Sequence, residues 1–598
     1  MYGRECLLVC LLVVSVLAGR HTHSHSHSHT HTHGPEHGNQ GAGSEAPSQP
    51  GPDGQPVVVT PSGIIRGSMM ESRRGRPFEA YRGIRYAEPP VGPLRFQPPK
   101  LIEKYAEEVD ASQEGPACPL PAPPGYYLDE DCLRINVYTP NHKSKEPMPV
   151  IFYIHAGGFY AFSGRSDVAG PHYLLDRDIV LVTINYRLGS LGFLSTGDAL
   201  APGNNGFKDQ VAALKWVQRN IAAFGGDPNL VTISGCSAGS ISVMLHMISP
   251  MSKGLFHRGI SMSASPTLPT PTPTDMLRLA RRQAELVGCP TATSRAIVDC
   301  LRTTPWKQLG DSLNGFYEFG FDPVGIWLPV IEKDFGQERF LHVEPADAIR
   351  EGRMHAVPLL VSQTEDEFFW KAFTVLNNQT LLEQMNSEWE RVAPISLQIP
   401  REGSAPIVER LRSFYFGDKP LRNDSATATA LGRIYGDAII GFPVHRMANL
   451  MCRHSAHKVY YYEFAYIGRH SHYEDPVTGK PTAAAHHDDL IYLFSLSYRF
   501  PSIGTAGPDA RLVDAMTAIW YTFAKHGDPN PRGDLDLPEI KDLKWPAMTP
   551  EKRSYLRIDK EFSVRANLKE DRMKNIVGGE KPGPQSDVTP VRIPPLWI

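Results

Sequence analysis

The sequence predicts an α/β fold: one large, mostly parallel twisted sheet flanked by helices. Three observations predict it. Short apolar runs alternate with stretches of helical periodicity, several runs are apolar at every position, and glycine-rich turns join strand to helix. Continuous apolarity is expected of strands covered on both faces. VVVTPSGIIRG, LRINVYTP, PVIFYIHAGGF, DIVLVTINYR, NLVTISGCSAG, PLLVSQT and VYYYEFA read as strands in that order. Gly206–Ala223 has apolar residues at helical spacing and stops before the breaker FGGDP. A length of 598 residues would suggest about four domains. The alternation is nevertheless unbroken and no repeat of solenoid length occurs, so a single domain over 57–568 is expected. The proline-rich Ser265–Asp275 is expected as a surface loop, and residues 569–598 as a poorly ordered tail.

Composition removes several classes. Lys+Arg 61 against Asp+Glu 64 leaves a net charge of −3, so no basic excess points to nucleic acid. Hydrophobic residues at 41% exclude a wholly disordered chain. Residues 1–19 read as a secretory signal: Arg4 precedes the apolar Cys6–Ala18, which ends in small residues. With no other apolar run of about 18 residues, no membrane span is expected after cleavage, and the product should be extracellular. Residues 20–56 begin with alternating histidines, His21 to His33, and continue in Gly, Pro and Ser. That composition makes a solvated, disordered linker, and its imidazoles are candidates for weak divalent-metal chelation. Cys118/Cys132 and Cys289/Cys300 would each close a short loop that an oxidising compartment preserves, and no CxxC occurs. Asn378 and Asn423 head glycosylation sequons, credible in an exported chain.

The strongest chemical signal is Gly235-Cys236-Ser237-Ala238-Gly239, directly between the strand LVTIS and the apolar ISVMLHMI. G-x-S-x-G at a strand-to-helix turn forces the serine into a sharp corner that only small neighbours tolerate. The corner exposes the serine Oγ and sets the Ala238 N–H at a helix N-terminus. A second glycine cluster, His155-Ala156-Gly157-Gly158-Phe159, follows the strand PVIFYI, where bare backbone N–H groups can face a developing oxyanion. A serine needs a base and an orienting carboxylate to become a nucleophile. Glu365, Asp366 and Glu367 follow the strand VPLLVSQ, and His486 and His487 lie in AAAHHDDLIYLF. Spacing alone does not choose within either cluster. His342 and His355 stand isolated and read as structural or solvent-facing.

Many segments in order, from YRGIRYAEPPVGPLRF through EDCLRINVYTP, NYRLGSLGFLS, GNNGFKDQVAALKWVQRNIAAFGGDP, GCSAGS and HHDDLIYLF to WYTFAKHGDPN, carry a wider resemblance. The chain resembles the type-B carboxylesterases, cholinesterase-like enzymes of the α/β-hydrolase fold, and among them the secreted insect carboxylesterases. The resemblance implies Ser237 as nucleophile, Glu367 as acid and His486 as base, with Gly157, Gly158 and Ala238 as oxyanion donors. It implies the disulfides Cys118–Cys132 and Cys289–Cys300, a supporting serine at Ser263 and a supporting acid at Asp437. No metal and no organic cofactor is implied, and the partner is a small-molecule ester. Two departures argue against a quaternary ammonium substrate: Cys236 replaces the usual acid or amide, and the 118–132 loop lacks a cation-binding tryptophan. The expected activity is hydrolysis of a neutral apolar ester through an acyl-enzyme, falling at low pH as the imidazole protonates. The alternative is a catalytically silent, cholinesterase-like adhesion protein.

Overall fold

The computed structural model describes residues 54–475, 478–532 and 538–577. The signal expected at 1–19 and the His21–His33 tract lie outside the described residues. Strands β1 (Val57–Thr60), β2 (Gly63–Arg66) and β5 (Val109–Asp110) form a separate three-stranded sheet. VVVTPSGIIRG is therefore a hairpin rather than one strand, because the Thr60 hydroxyl takes the N–H groups of Ser62 and Gly63 at 3.1 Å each and closes a turn.

The main sheet has 11 strands. In chain order its members are β3 (Ser68–Glu71), β4 (Pro77–Arg85), β6 (Arg134–Thr139), β7 (Met148–Ile154), β8 (Val180–Ile184), β9 (Gly226–Cys236), β10 (Arg258–Met262), β11 (Leu359–Thr364), β12 (Val459–Phe464), β13 (Ser554–Ile558) and β14 (Ser563–Ala566). The spatial order is β14-β13-β12-β11-β10-β9-β7-β8-β6-β4-β3. From β13 to β8 every neighbouring pair is parallel, and antiparallel strands close both flanks. Every residue of β7, β8, β11 and β12 is buried. Their complete burial has the expected cause, helices on both faces, and it takes in the polar Thr183, Ser362, Gln363, Thr364 and Glu463 as well as the apolar residues. Alternate residues of β7 feed different cores. Val150, Phe152 and Ile154 pack with the helices Asn205–Asn220, Ala238–Ile248 and Phe442–His454. Ile151 and Tyr153 pack with Pro508–His526 on the other face.

Three boundaries differ from the sequence expectation. The helix expected at Gly206–Ala223 runs from Asn205 to Asn220 and tightens to a 3-10 turn over Ile221–Phe224. The proline-rich segment starts inside the protein: Ser265 and Thr267 are buried, and the Thr267 hydroxyl donates to the Pro443 carbonyl at 2.9 Å. Past residue 568 the chain forms one more helix, Glu570–Val577, which buries Met573 and Ile576 and brings Arg572 Nε to 3.2 Å from Asp437.

Candidate active site

Parallel strands β7 and β9 are neighbours, with Ile154 opposite Gly235. The glycine cluster after β7 and the G-x-S-x-G turn after β9 therefore emerge side by side at the C-terminal edge of the sheet, where open α/β sheets place their sites. Both flanking glycines of the turn are sterically required. A Cβ on Gly239 would overlap the Ile154 carbonyl oxygen, and one on Gly235 would overlap the backbone of Gly239. Ser237 takes φ 56°, ψ −119° as N-cap of Ala238–Ile248, held by its N–H to the Met262 carbonyl at 2.8 Å. It is half-buried, whereas Cys236 behind it is fully buried and burial pushes its thiol well above the ordinary range.

Glu367 and His486 arrive on loops beyond β11 and β12, tied together by a parallel bridge between Asp366 and Ala485. The Ser237 hydroxyl donates to His486 Nε2 at 3.0 Å. His486 Nδ1–H donates in turn to Glu367 Oε2. The other oxygen, Glu367 Oε1, accepts the Thr364 N–H at 2.8 Å, which fixes the carboxylate from behind. Burial works to raise the Glu367 pKa, but His486 and the neighbouring Ser263 hydroxyl outweigh it and hold the carboxyl below its ordinary value. Asp437 stands behind the same loop: it accepts from the Tyr415 hydroxyl at 2.6 Å, and a Cβ on adjacent Gly436 would overlap the Glu367 carbonyl.

The sequence alternatives separate cleanly. Glu365 turns outward and receives Arg557 with both oxygens at 2.9 Å. Asp366 spends its backbone on the bridge, its N–H donating to the Ala484 carbonyl at 3.1 Å. His487 lies against His486, ring centroids 4.0 Å apart, without reaching Ser237 or Glu367. His342 is exposed, and His355 packs edge-on against Phe256.

Gly157 and Gly158 adopt φ 107° and 58°. A Cβ on Gly157 would overlap the Ala161 carbonyl, so neither position accommodates a larger residue without strain. Among the described residues, no backbone or side-chain acceptor takes the N–H of Gly157, Gly158 or Ala238. His155 supports the loop, its Nδ1–H donating to the Ala156 carbonyl at 2.7 Å and its ring stacked on Tyr186 at 4.4 Å. No group of three metal-ligating side chains occurs among the described residues, and no helix there is long and apolar enough to cross a membrane.

A model of the carboxylesterase family matches residues 54–576, which takes in every residue of this arrangement. The chain belongs to the carboxylesterase family.

Relatives agree with that membership. This carboxylesterase is 38% identical over 512 residues to esterase E4 of Myzus persicae, covering 82% of this chain and 90% of that protein. It is 35% identical over 533 residues to a carboxylic ester hydrolase of Bombus ignitus, covering 86% and 92%. It is 34% identical over 526 residues to the juvenile hormone esterase of Tribolium castaneum, covering 84% and 87%. The crystal structure of juvenile hormone esterase from Manduca sexta, with OTFP covalently attached, superposes with a TM-score of 0.75 at 27% identity, over 87% of this chain and 98% of that one. The protein is a carboxylic ester hydrolase of the α/β-hydrolase fold. Its Cys118–Cys132 and Cys289–Cys300 pairs are disulfide-bonded, and Cys236 and Cys452 are free thiols. Sequence reasoning missed the ring of Phe368, stacked on His486 at 4.4 Å. Its only signal was adjacency to Glu367 in TEDEFFW.

Proposed function

We propose that this carboxylesterase is a secreted serine esterase in which Ser237, His486 and Glu367 act as nucleophile, base and orienting acid on a neutral apolar ester. The continuous hydrogen-bonded line from Ser237 Oγ through the imidazole to a buried carboxylate carries the reading. His486 Nε2 takes the serine proton as Oγ attacks the ester carbonyl, and the tetrahedral oxyanion settles among the N–H groups of Gly157, Gly158 and Ala238. The imidazolium then protonates the departing alkoxide, leaving an acyl-Ser237. Water repeats the sequence with His486 as base and releases the acid. Glu367 remains ionised and holds the ring with Nδ1 protonated, so that Nε2 always faces the serine.

The surroundings support a neutral substrate. Two carboxylates of the acid and base loops are already engaged: Glu365 by Arg557, and Asp488 by the Ser471 hydroxyl at 2.6 Å and His472 at 3.2 Å. Aromatic rings also flank the base. Relatives named juvenile hormone esterase support juvenile hormone as one candidate ester. Secretion is supported by the two disulfides and by exposed side chains at both sequons, Asn378 and Asn423, where glycans could attach.

The test is p-nitrophenyl butyrate turnover by the secreted protein, with fluorophosphonate labelling mapped to a peptide. Ser237→Ala should abolish labelling and lower kcat by roughly 10⁴–10⁶-fold. Label on another peptide, or turnover surviving the substitution, would refute the assignment.

A further inference from the structure

The two residues that directly follow the proposed acid and base, Phe368 and His487, share two properties. Each holds a left-handed backbone, φ 51° and 77°. Each lays its ring against the His486 imidazole, at 4.4 Å and 28° for Phe368 and at 4.0 Å and 36° for His487. No ring contact joins Phe368 to His487, which two rings on one face of one imidazole would have to make, so they stand on opposite faces. Left-handed backbone is strained for a side-chain-bearing residue and costless for glycine. At 487 the strain is compounded, because Nε2 of that imidazole is buried without a hydrogen-bond partner. A residue that only closed a turn would be better served by glycine.

Resting on the serine-esterase reading, we infer that Phe368 and His487 form a two-sided ring clamp that holds the His486 imidazole in the plane shared by Ser237 Oγ and the Glu367 carboxylate. The clamp supplies what the hydrogen bonds do not. The final torsion of a histidine is soft and roughly two-fold. The bond from Nδ1 to Glu367 pins one edge of the ring and leaves it able to tilt about the line joining the acid to the serine. Rings on both faces block that tilt. They also set π-faces against the positive charge that His486 gains in each half-reaction, a favourable arrangement in a desolvated site. His487 meets this requirement only while uncharged. Burial first, then the charges of His486 and His472, hold its pKa well below the ordinary imidazole value. Its own position is braced by the Phe162 ring edge at 5.9 Å and by His472 at 5.6 Å. His472 is fixed by Asp488, so the brace continues into the rigid base loop. Both flanking residues are positioning residues, because they reach the reaction only through His486.

The experiment compares the secreted full-length wild type with His487→Gly, His487→Phe and Phe368→Leu, measuring kcat and KM for p-nitrophenyl butyrate together with Tm. His487→Gly should fold with an unchanged or higher Tm, because glycine relieves the left-handed strain. It should nevertheless lose roughly 10- to 100-fold in kcat with KM little changed, the signature of a misplaced catalytic group. His487→Phe, which restores a flat ring without the nitrogens, should recover most of that loss. Phe368→Leu should show the same kcat loss from the opposite side. An active wild type with His487→Gly at full kcat would overturn the clamp alone, as would a His487→Phe no better than His487→Gly. An inert wild type would overturn the serine-esterase reading itself.

Discussion

At the residue scale, Glu365, Asp366 and Glu367 have near-identical chemistry and three separate fates, decided by the turn after β11. Glu365 is exposed enough to meet Arg557 in a two-oxygen pair, whereas Glu367 is buried and meets the His486 Nδ1–H. Glu367→Gln should therefore cut kcat by about 10⁴-fold, as an amide there favours the wrong imidazole tautomer. Glu365→Gln should lose only a part-exposed ion pair, worth at most about 1 kcal/mol, and keep its turnover. Steady-state kinetics on the two variants separates the roles, and equal losses would contradict the geometry. Spacing could not make this choice, which only the family resemblance pointed to, because all three carboxylates lie within one turn and differ physically only in the burial and direction of each side chain. Cys236 was legible: a small apolar residue behind the nucleophile is what its complete burial shows. The stacked Phe368 was not, since its contact with His486 joins residues 118 apart through two separate loops.

At the scale of elements, the helix Asn205–Asn220 has one stretch that periodicity alone misreads. Asn205 through Gln210 are all buried, although four of those six are polar or charged. Each has a dedicated partner. Asn205 Nδ2 donates to the Phe96 carbonyl at 2.9 Å, Lys208 Nζ reaches Glu332 at 2.7 Å, Asp209 receives Arg187 at 2.7 Å, and Gln210 Oε1 accepts from His246 Nε2–H at 2.9 Å. The apolar spacing was sufficient to place the helix, but the polar start reads as an exposed end until those distant partners are seen. Lys208 and Glu332 are both almost completely enclosed, so removing one leaves a buried charge unpaired. Lys208→Met should cost about 3–5 kcal/mol, and the double variant Lys208→Met/Glu332→Leu should recover much of it. Thermal denaturation of the two variants checks this, and a single variant as stable as wild type would show the pair to be superficial. The G-x-S-x-G turn shows the opposite case. Its strand, serine and helix are contiguous in sequence, so its geometry could be read directly.

At the scale of the whole molecule, one continuous sheet was readable from the alternation of strand and helix. The antiparallel flanks were less so, because an edge strand and a central strand differ in neighbours that the sequence does not adjoin. That sheet and its helices bury titratable groups whose balance sets the response to acid. Burial pushes His246 down to about 3 and His155 down to about 4, against about 6.5 for an unfolded histidine. Because the folded values lie below the unfolded one, unfolding takes up protons between about pH 6.5 and pH 4. The stability these groups carry is thus complete above that window and is lost as pH falls. Burial, reinforced by Glu367 and Asp488, acts in the other direction on Asp489, raising it to about 7 from an ordinary 3.8. Its folded form holds a proton that the unfolded chain releases, so its contribution is present at low pH and lost as pH rises through 7. With His445, also held down to about 4, the histidines outnumber the carboxyl and leave a net uptake on unfolding, worth about 1.4 kcal/mol per pH unit for each net proton. Calorimetry should therefore show Tm falling from pH 7.5 to pH 5. Asp489→Asn should widen that gap, since the amide removes the full cost of ionising the buried carboxyl at pH 7.5 but only part of it at pH 5, where the folded carboxyl is neutral and the unfolded one already ionised. A wild-type Tm that holds or rises toward pH 5, or a gap narrowed by Asp489→Asn, would show that the buried histidines do not govern acid stability.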